Sequence, residues 1–294
     1  MPKLPGWLKL FLKILVSAGC LYVVFTKIDW QQSFSLILSA HPGYLSMAAL
    51  FFILSKMISS FRLNYYFKAI EINISEKANM QLYWLGMFYN LFLPGGIGGD
   101  AYKGILLARR FKHAGNKNIA SGLLLDRLSG LVGLAILFLI FWRFAQPGEA
   151  LSLYGLLLIP LGSWFFYFLV KKWFPVFLKC FHPTYWMGLL VQALQVVCVW
   201  FIMRSLSVEG HEFILIMLFL LSSMVAVFPF TIGGLGAREL VFLWGAREFG
   251  VDQQLSVSIS LLFYLITVTV SAVGIIWEYR KIEGIKRINL YLCI

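Results

Sequence analysis

Residues 90–104, NLFLPGGIGGDAYKG, contain one proline, five glycines and the opposite charges of Asp100 and Lys103. They end an apolar run, residues 78–93, that has the character of a membrane helix, and proline with glycine interrupts a helix. An unpaired backbone N–H or C=O costs several kcal/mol in lipid, so irregular backbone at membrane depth is tolerated only where protein or water covers it. The stretch therefore predicts a broken helix that borders a polar cavity.

A second stretch, VFPFTIGGLGARE at 227–239, repeats the pattern after another apolar run. Aligned on their prolines, both breaks read proline, two residues, isoleucine, glycine, glycine, at an offset of 135 (229 − 94). The shared spacing favours an internal repeat of two broken helices. The residues that we predict to form the breaks are Pro94, Gly95, Gly98, Gly99, Pro229, Gly233, Gly234 and Gly236.

Apolar residues dominate the composition: 60% of the 294 residues are hydrophobic, 13% are charged, and the mean hydropathy is +0.82. These values lie outside the range of soluble domains, and runs of about 20 apolar residues recur along the chain. The sequence predicts an all-α polytopic transmembrane helix bundle, a single membrane domain over 1–294 with approximate halves 1–145 and 146–294. We expect two re-entrant broken helices in an inverted repeat and six full spans, at 8–26, 44–64, 117–142, 152–170, 185–206 and 254–277.

Lysine and arginine accumulate on the cytoplasmic side of membrane proteins. If each broken segment returns to the side from which it enters, both termini are cytoplasmic, and the two hairpins enter an inner membrane from opposite faces. This bias accounts for the net charge of +12 without a nucleic-acid partner. The cytoplasmic side then holds 18 of the 25 basic residues: Lys3, Lys9, Lys13, Arg62, Lys68, Lys77, Lys103, Arg109, Arg110, Lys112, Lys117, Lys171, Lys172, Lys179, Arg280, Lys281, Lys286 and Arg287.

No metal, cofactor or catalytic site is indicated by the sequence. The four cysteines lack CxxC spacing, the four histidines are scattered, and His211-Glu212 lacks the second histidine of a zincin. The glycine-rich breaks have neither the GxxxxGK[ST] pattern nor the flanking strand of nucleotide-binding loops. No Ser-His-Asp set can be assembled, and we expect no metal and no cofactor.

Ionisable residues within apolar runs are costly and usually face a cavity or a partner. Each helix that restarts after a break also offers free N–H groups and about half a positive charge to an anion. Two alternatives stay open: the charged pairs only neutralise one another and join helices, and Asn90 only satisfies carbonyls freed by the break. The candidate substrate-binding residues are Lys56, Asn90, Asp100, Lys103, Asp126, Arg127, Arg238 and Glu239.

Three ordered motifs carry a resemblance to a known family: Asn90-x-x-x-Pro94-Gly95-x-x-Gly98-Gly99-Asp100, Asp126-Arg127-x-x-Gly130 and Pro229-x-x-x-Gly233-Gly234-x-Gly236-x-Arg238-Glu239. Over nearly its whole length the chain resembles the membrane domain of bacterial lysylphosphatidylglycerol synthases, the multiple-peptide-resistance factors, and their stand-alone relatives. In that family a basic residue, often arginine, stands where this chain has Lys103. Lysine keeps the charge but lacks the bidentate fork that arginine offers to phosphate.

The resemblance implies a flippase that moves a phospholipid or lipid-phosphate headgroup between leaflets, with membrane lipid as its cargo. Its cations would attract the phosphate, and Asp100, Asp126 and Glu239 would orient those cations, meet an amine on the headgroup or carry a proton. In the synthases aminoacyl transfer belongs to a separate soluble domain, so we do not expect that enzyme activity here. Two rivals stay open: a lipid-modifying membrane transferase or its accessory subunit, and a transporter of small ions or organic anions. A partner enzyme of lipid or glycolipid synthesis also stays open.

Overall fold

The computed structural model describes residues 6–92, 98–227, 231 and 234–279. Within these ranges the chain is helical and contains no β-strand. Short 3-10 turns occur at Lys112–Ala114, Pro175–Cys180 and Val273–Ile275. The α-helices of these ranges are α1 (Gly6–Lys27), α2 (Trp30–Ser39), α3 (Pro42–Ala69), α4 (Glu76–Phe92), α5 (Gly98–Arg110), α6 (Asn116–Ala145), α7 (Ala150–Gly155), α8 (Leu158–Trp173), α9 (Phe181–Ser205), α10 (Glu212–Val227), α11 (Ala237–Phe249), α12 (Gln253–Ala272) and α13 (Ile276–Tyr279).

Local sequence explains where several helices begin and end. The Asp29 carboxylate accepts a hydrogen bond from the Gln31 N–H at the start of α2, and Asp252 accepts one from Leu255 at the start of α12. Pro42 occupies the first turn of α3, where its missing N–H is not needed. Gly250 adopts the left-handed φ of 66° that ends α11.

Five helical stretches are long and apolar enough to cross a membrane: Pro42–Ala69, Asn116–Ala145, Ala150–Trp173, Pro175–Ser205 and Gln253–Glu278. They coincide with five of the six predicted spans and confirm the polytopic helical bundle. The remaining predicted span, 8–26, lies within α1, where the side chains that the structure describes without interruption cover only Ala18–Lys27. The predicted count of six is therefore not confirmed.

The first break forms a helical hairpin of α4 and α5. The Tyr89 and Tyr102 rings lie 4.9 Å apart, and the Lys103 ammonium lies 5.0 Å from the centre of the Tyr83 ring. After α5 the chain returns to the connection that precedes α4, because a ring nitrogen of His113 lies 3.3 Å from the Glu71 carbonyl oxygen. The hairpin is therefore re-entrant, as the sequence predicts.

The second break forms the same structure from α10 and α11. Arg238 on α11 reaches Ser223 on α10 at 3.4 Å, and the Leu218 side chain of α10 packs over Gly245 of α11. The following helix, α12, begins against α2, where the Ser258 hydroxyl lies 3.5 Å from the Ser33 carbonyl oxygen. This hairpin also returns to the end of the bundle from which it enters.

The two hairpins enter from opposite ends of the bundle. α4 starts at the C-terminal end of α3, where Lys68 and Glu76 form an ion pair at 2.8 Å. α10 follows the C-terminal end of α9, where the Ser205 carbonyl accepts a hydrogen bond from His41, just before α3 begins. With 28 residues, α3 separates these two ends by about 42 Å at 1.5 Å per residue.

The offset of 135 extends beyond the two breaks to four consecutive helices. Adding 135 to the residue numbers of α3 gives 177–204, and the observed α9 covers 181–205. The same shift moves α4 to 211–227, and the observed α10 covers 212–227. α5 gives 233–245 against 237–249, and α6 gives 251–280 against 253–272. The fold therefore contains an inverted repeat in which α3 to α6 correspond to α9 to α12.

Each hairpin is embedded in its own apolar cluster. Leu82 and Leu106 of the first hairpin are buried with Phe67 of α3. Phe219 and Phe242 of the second are buried in a larger cluster that extends to α9 and α12. These clusters bury one side of each hairpin inside the bundle.

The close contact between α4 and α5 gives a stability prediction. A methyl group on Gly99 would overlap the main-chain carbonyl of Gly86, so Gly99→Ala should force the helices apart and cost about 1–3 kcal/mol. A thermal unfolding scan in detergent should show a lower Tm. Gly162 of α8 is the matched control, because a methyl group there meets no atom within 4 Å and alanine favours a helix over glycine. A Gly99→Ala variant as stable as Gly162→Ala would contradict the close contact.

Candidate functional site

A polar cavity lies between the tips of the two hairpins, in two adjoining chambers. The first chamber has a volume of about 210 Å³ and the second about 320 Å³. Lys56 of the second chamber stands near the middle of α3, 14 residues after Pro42 and 13 before Ala69, which places the cavity at mid-depth. Six residues from both halves of the chain line both chambers: Tyr83, Met87, Asn90, Leu134, Gln192 and Val227.

Asp100 joins two cations in the first chamber. Its carboxylate contacts the Lys103 ammonium at 2.7 Å and the Arg127 guanidinium at 2.5 Å. Lys103 is only 3% exposed, so its charge is balanced within the protein. Asp100 also lies in the first turn of α5, where the helix dipole stabilises a negative charge. The network ties α5 to α6 at the hairpin tip.

Arg62 is the ion-pair partner of Asp126, at 2.7 Å. The sequence predicts that Arg62 and Lys103 belong to the cytoplasmic basic residues, but both side chains are buried in the bundle. Asp126 and Arg127 have different partners because adjacent residues on a helix do not face each other. Within the described residues, Arg62 Nη1 is buried without a hydrogen-bond partner.

Asn90 connects the two sides of the first break. Its side-chain oxygen accepts a hydrogen bond of 2.8 Å from the Gly99 N–H, one of the donors that the first turn of α5 leaves free. The predicted structural role is therefore observed, although the free group is an N–H rather than a carbonyl. Asn90 also lines both chambers, so its predicted contact with substrate stays a prediction.

Lys56 and Arg238 face the second chamber without a carboxylate partner within 4 Å in the part of the chain that the structure describes. The Lys56 ammonium lies 4.5 Å from the centre of the Phe52 ring, and the Arg238 guanidinium 5.0 Å from that of Phe263. Polar groups of Gln195 and Ser223 line the same chamber. The second chamber therefore carries two positive charges among uncharged polar groups.

Glu239 lies apart from both chambers and is fully buried. One oxygen accepts a hydrogen bond of 2.7 Å from the Gly236 N–H at the start of α11, and the other accepts one of 2.9 Å from the Ser260 hydroxyl. Its observed contacts stabilise the helix start and join it to α12. Glu239 lines neither chamber in the described ranges, so its predicted role toward substrate stays a prediction.

Four of the predicted break residues are described. Gly98 and Gly99 open α5, whereas Gly234 and Gly236 have positive φ values of 84° and 85° immediately before α11. Glycine adopts this conformation at no steric cost. Pro94, Gly95, Pro229 and Gly233 lie outside the described residues.

Sequence reasoning missed seven polar residues of the cavity wall: Arg62, Tyr83, Gln192, Gln195, Ser223, Thr267 and Ser271. Gln192 and Gln195, three apart in an apolar span, carried a readable signal, because amides in such a run need partners. Arg62 was missed because the predicted span ends at residue 64, which places Arg62 near the membrane surface. The observed α3 continues to Ala69, so Arg62 lies inside the bundle. Tyr83 and Ser223 resemble ordinary residues of a membrane helix.

Inverted re-entrant hairpins around a charged cavity define a multi-pass membrane protein of internal-repeat architecture. A family model described as the lysylphosphatidylglycerol synthase TM region matches residues 10–274. The chain belongs to this family, as the resemblance of its motifs indicates.

The chain is also similar to the UPF0104 membrane protein PH1989 of Pyrococcus horikoshii. The two are 22% identical over 156 residues, which cover 53% of this chain and 45% of that protein. The chain thus matches less than half the length of this relative.

Proposed function

We propose that the protein translocates the headgroup of an anionic or zwitterionic membrane lipid between leaflets, while the acyl chains stay in the bilayer. The observation that carries the proposal is the second chamber, where Lys56 and Arg238 face one cavity with no carboxylate within 4 Å of either cation in the described ranges. Two like charges in a bundle of low dielectric repel each other, and a charge without a partner there is costly. A lipid phosphate would supply the missing negative charge.

The internal repeat also supports the second hairpin as the one that binds the lipid phosphate. At the offset of 135, Lys103 corresponds to Arg238, whereas Asp100 corresponds to Leu235. The first hairpin therefore neutralises its cation with its own carboxylate, and the second lacks that carboxylate. Of the two related positions, Arg238 is the one that a phosphate can approach, and arginine is suited to it because its planar fork binds phosphate in a bidentate manner.

The first chamber suits a headgroup that carries both charges. Its Asp100 and Asp126 carboxylates can receive an amine, while its arginines can receive a phosphate. A headgroup that crosses between the chambers would exchange these ion pairs one at a time. Such an exchange lowers the cost of moving a charged group through the bundle, because each charge keeps a partner.

We propose that the end of the bundle at which the first hairpin enters is cytoplasmic, in an inner membrane. In the described ranges this end has the larger share of basic residues near helix termini: Lys68, Lys77, Arg109, Arg110, Lys112, Lys117, Lys171, Lys172 and Lys179. The opposite end has Lys27, Arg143, Arg204 and Arg247.

Lipid exchange in vesicles tests the proposed function. The protein is reconstituted in phosphatidylethanolamine and phosphatidylglycerol with a trace of NBD-labelled phosphatidylglycerol, and dithionite reduction reports how fast label reaches the outer leaflet. Arg238→Ala and Lys56→Ala should each slow the exchange roughly 10- to 100-fold, because a charge-assisted hydrogen bond contributes ~1.5–3 kcal/mol.

Lys68→Ala is the matched control for the loss of a positive charge, because the ammonium of Lys68 is exposed at the end of α3. This variant should exchange lipid at the wild-type rate. Wild-type rates in both Arg238→Ala and Lys56→Ala would contradict the proposal. Formation of a new lipid product by the purified protein, seen by mass spectrometry, would instead favour a transferase.

A further inference from the structure

An apolar groove of about 460 Å³ runs between α5 and α6 on the outside of the bundle. Ile105 and Leu124 in its wall are 50% and 48% exposed, and Leu123, Ala101 and Ala120 also line it. α6 is one of the helices able to span a membrane, so the groove opens toward the hydrocarbon of the bilayer rather than toward water. The molecules that surround it there are lipid acyl chains.

The groove has a charged end that it shares with the polar cavity. Asp100 and Arg127 line both the groove and the first chamber. The Arg127 side chain is 30% exposed although it is paired with Asp100. An apolar channel that ends on an ion pair complements a molecule with an apolar tail and a charged head.

From this continuity we infer that the groove is a lateral lipid seat, in which an acyl chain of the cargo lies between α5 and α6 while its headgroup phosphate meets Arg127. The inference rests on the proposed lipid translocation and specifies the route by which the headgroup enters the cavity. Without a lateral opening, the charged head and apolar tail of one lipid could not occupy the cavity and the bilayer at the same time. A transporter of small solutes has no need of such a groove.

A second apolar pocket, near the other hairpin, provides an internal comparison. It has a volume of about 300 Å³ and is lined by Trp30, Leu235 and Tyr264, among others. Within the described ranges, none of its lining residues belongs to either polar chamber. Entry is therefore assigned to the α5–α6 side.

Photo-crosslinking tests the seat independently of transport. The full chain is placed in nanodiscs of phosphatidylethanolamine with a small fraction of phosphatidylglycerol that carries a diazirine in one acyl chain, and the labelled peptides are identified by mass spectrometry. Residues 101–108 and 119–127 should be labelled about tenfold more than lipid-facing α8, because a headgroup contact of ~1.4 kcal/mol raises occupancy tenfold.

Ala120→Trp should fill the groove and reduce that labelling about tenfold, to the level of α8, when the same ~1.4 kcal/mol of binding is lost. Ala18→Trp, an exposed position on α1 outside the groove, should leave it unchanged. Equal labelling of the groove and α8 in the wild type would overturn the inference, even if vesicle assays show lipid exchange. Groove labelling without lipid exchange would support the seat and count against translocation, so the two failures are distinguishable.

Discussion

Replacing Arg62 with alanine is expected to destabilise the protein by about 3–5 kcal/mol, because it leaves the Asp126 carboxylate in the bundle without its cation. The two groups lie 2.7 Å apart with side chains only 5% and 11% exposed. Alanine also removes an ion pair that joins α3 to α6. The free energy of unfolding in mild detergent measures the effect.

Lys68→Ala is the control for this prediction. Lys68 and Glu76 lie at a similar distance, 2.8 Å, but their side chains are 49% and 45% exposed, so the loss of this pair should cost about 0–1 kcal/mol. The double variant Arg62→Met with Asp126→Leu should recover much of the lost stability, because an apolar pair leaves no buried charge. An Arg62→Ala variant no less stable than Lys68→Ala would show that the pair is solvated and contributes little.

Asp100→Asn is expected to have the second large effect, on stability and lipid exchange together. One carboxylate balances two cations here, and Lys103 is 3% exposed. An amide keeps the shape but removes the charge, so the expected cost is about 3–5 kcal/mol. Lipid exchange should fall as well, because Asp100 stands where the groove meets the first chamber.

Adding Lys103→Met to Asp100→Asn should restore part of the stability, because it removes the more deeply buried of the two unbalanced cations. Glu76→Gln is the control, since it removes the exposed carboxylate of the other lysine pair, and it should leave both measurements unchanged. Stability and exchange rates equal to those of the wild type in Asp100→Asn would mean that the network carries neither function.

The sequence was sufficient to predict the features that follow from backbone chemistry. Proline and glycine inside apolar runs have one tolerable outcome in a membrane, a covered break, so both hairpins and their repeat were predictable from Gly98, Gly99 and their counterparts. Spans were predictable for the same reason, because length and apolar composition decide them.

Partners of the charged residues were not predictable, because they depend on which faces of distant helices meet. Asp126 and Arg127 are neighbours in the chain, yet they pair with Arg62 and Asp100 from two other helices. Glu239 directly follows the cavity residue Arg238, yet its carboxylate accepts hydrogen bonds from Gly236 and Ser260 instead of facing the cavity. The apolar groove left no sequence signal, since its residues are ordinary for a membrane helix.

The central claim is that the two hairpins enter from opposite sides and meet at one cavity, and cysteine labelling in sealed vesicles tests it most directly. In a variant without native cysteines, single cysteines replace the exposed residues Lys77 and Lys112 at the two ends of the first hairpin, or Glu209 and Glu248 at those of the second. An impermeant maleimide should label both ends of the first hairpin from one side and both ends of the second only from the other. Labelling of Lys77→Cys and Lys112→Cys from opposite sides, or of all four positions from one side, would contradict the account.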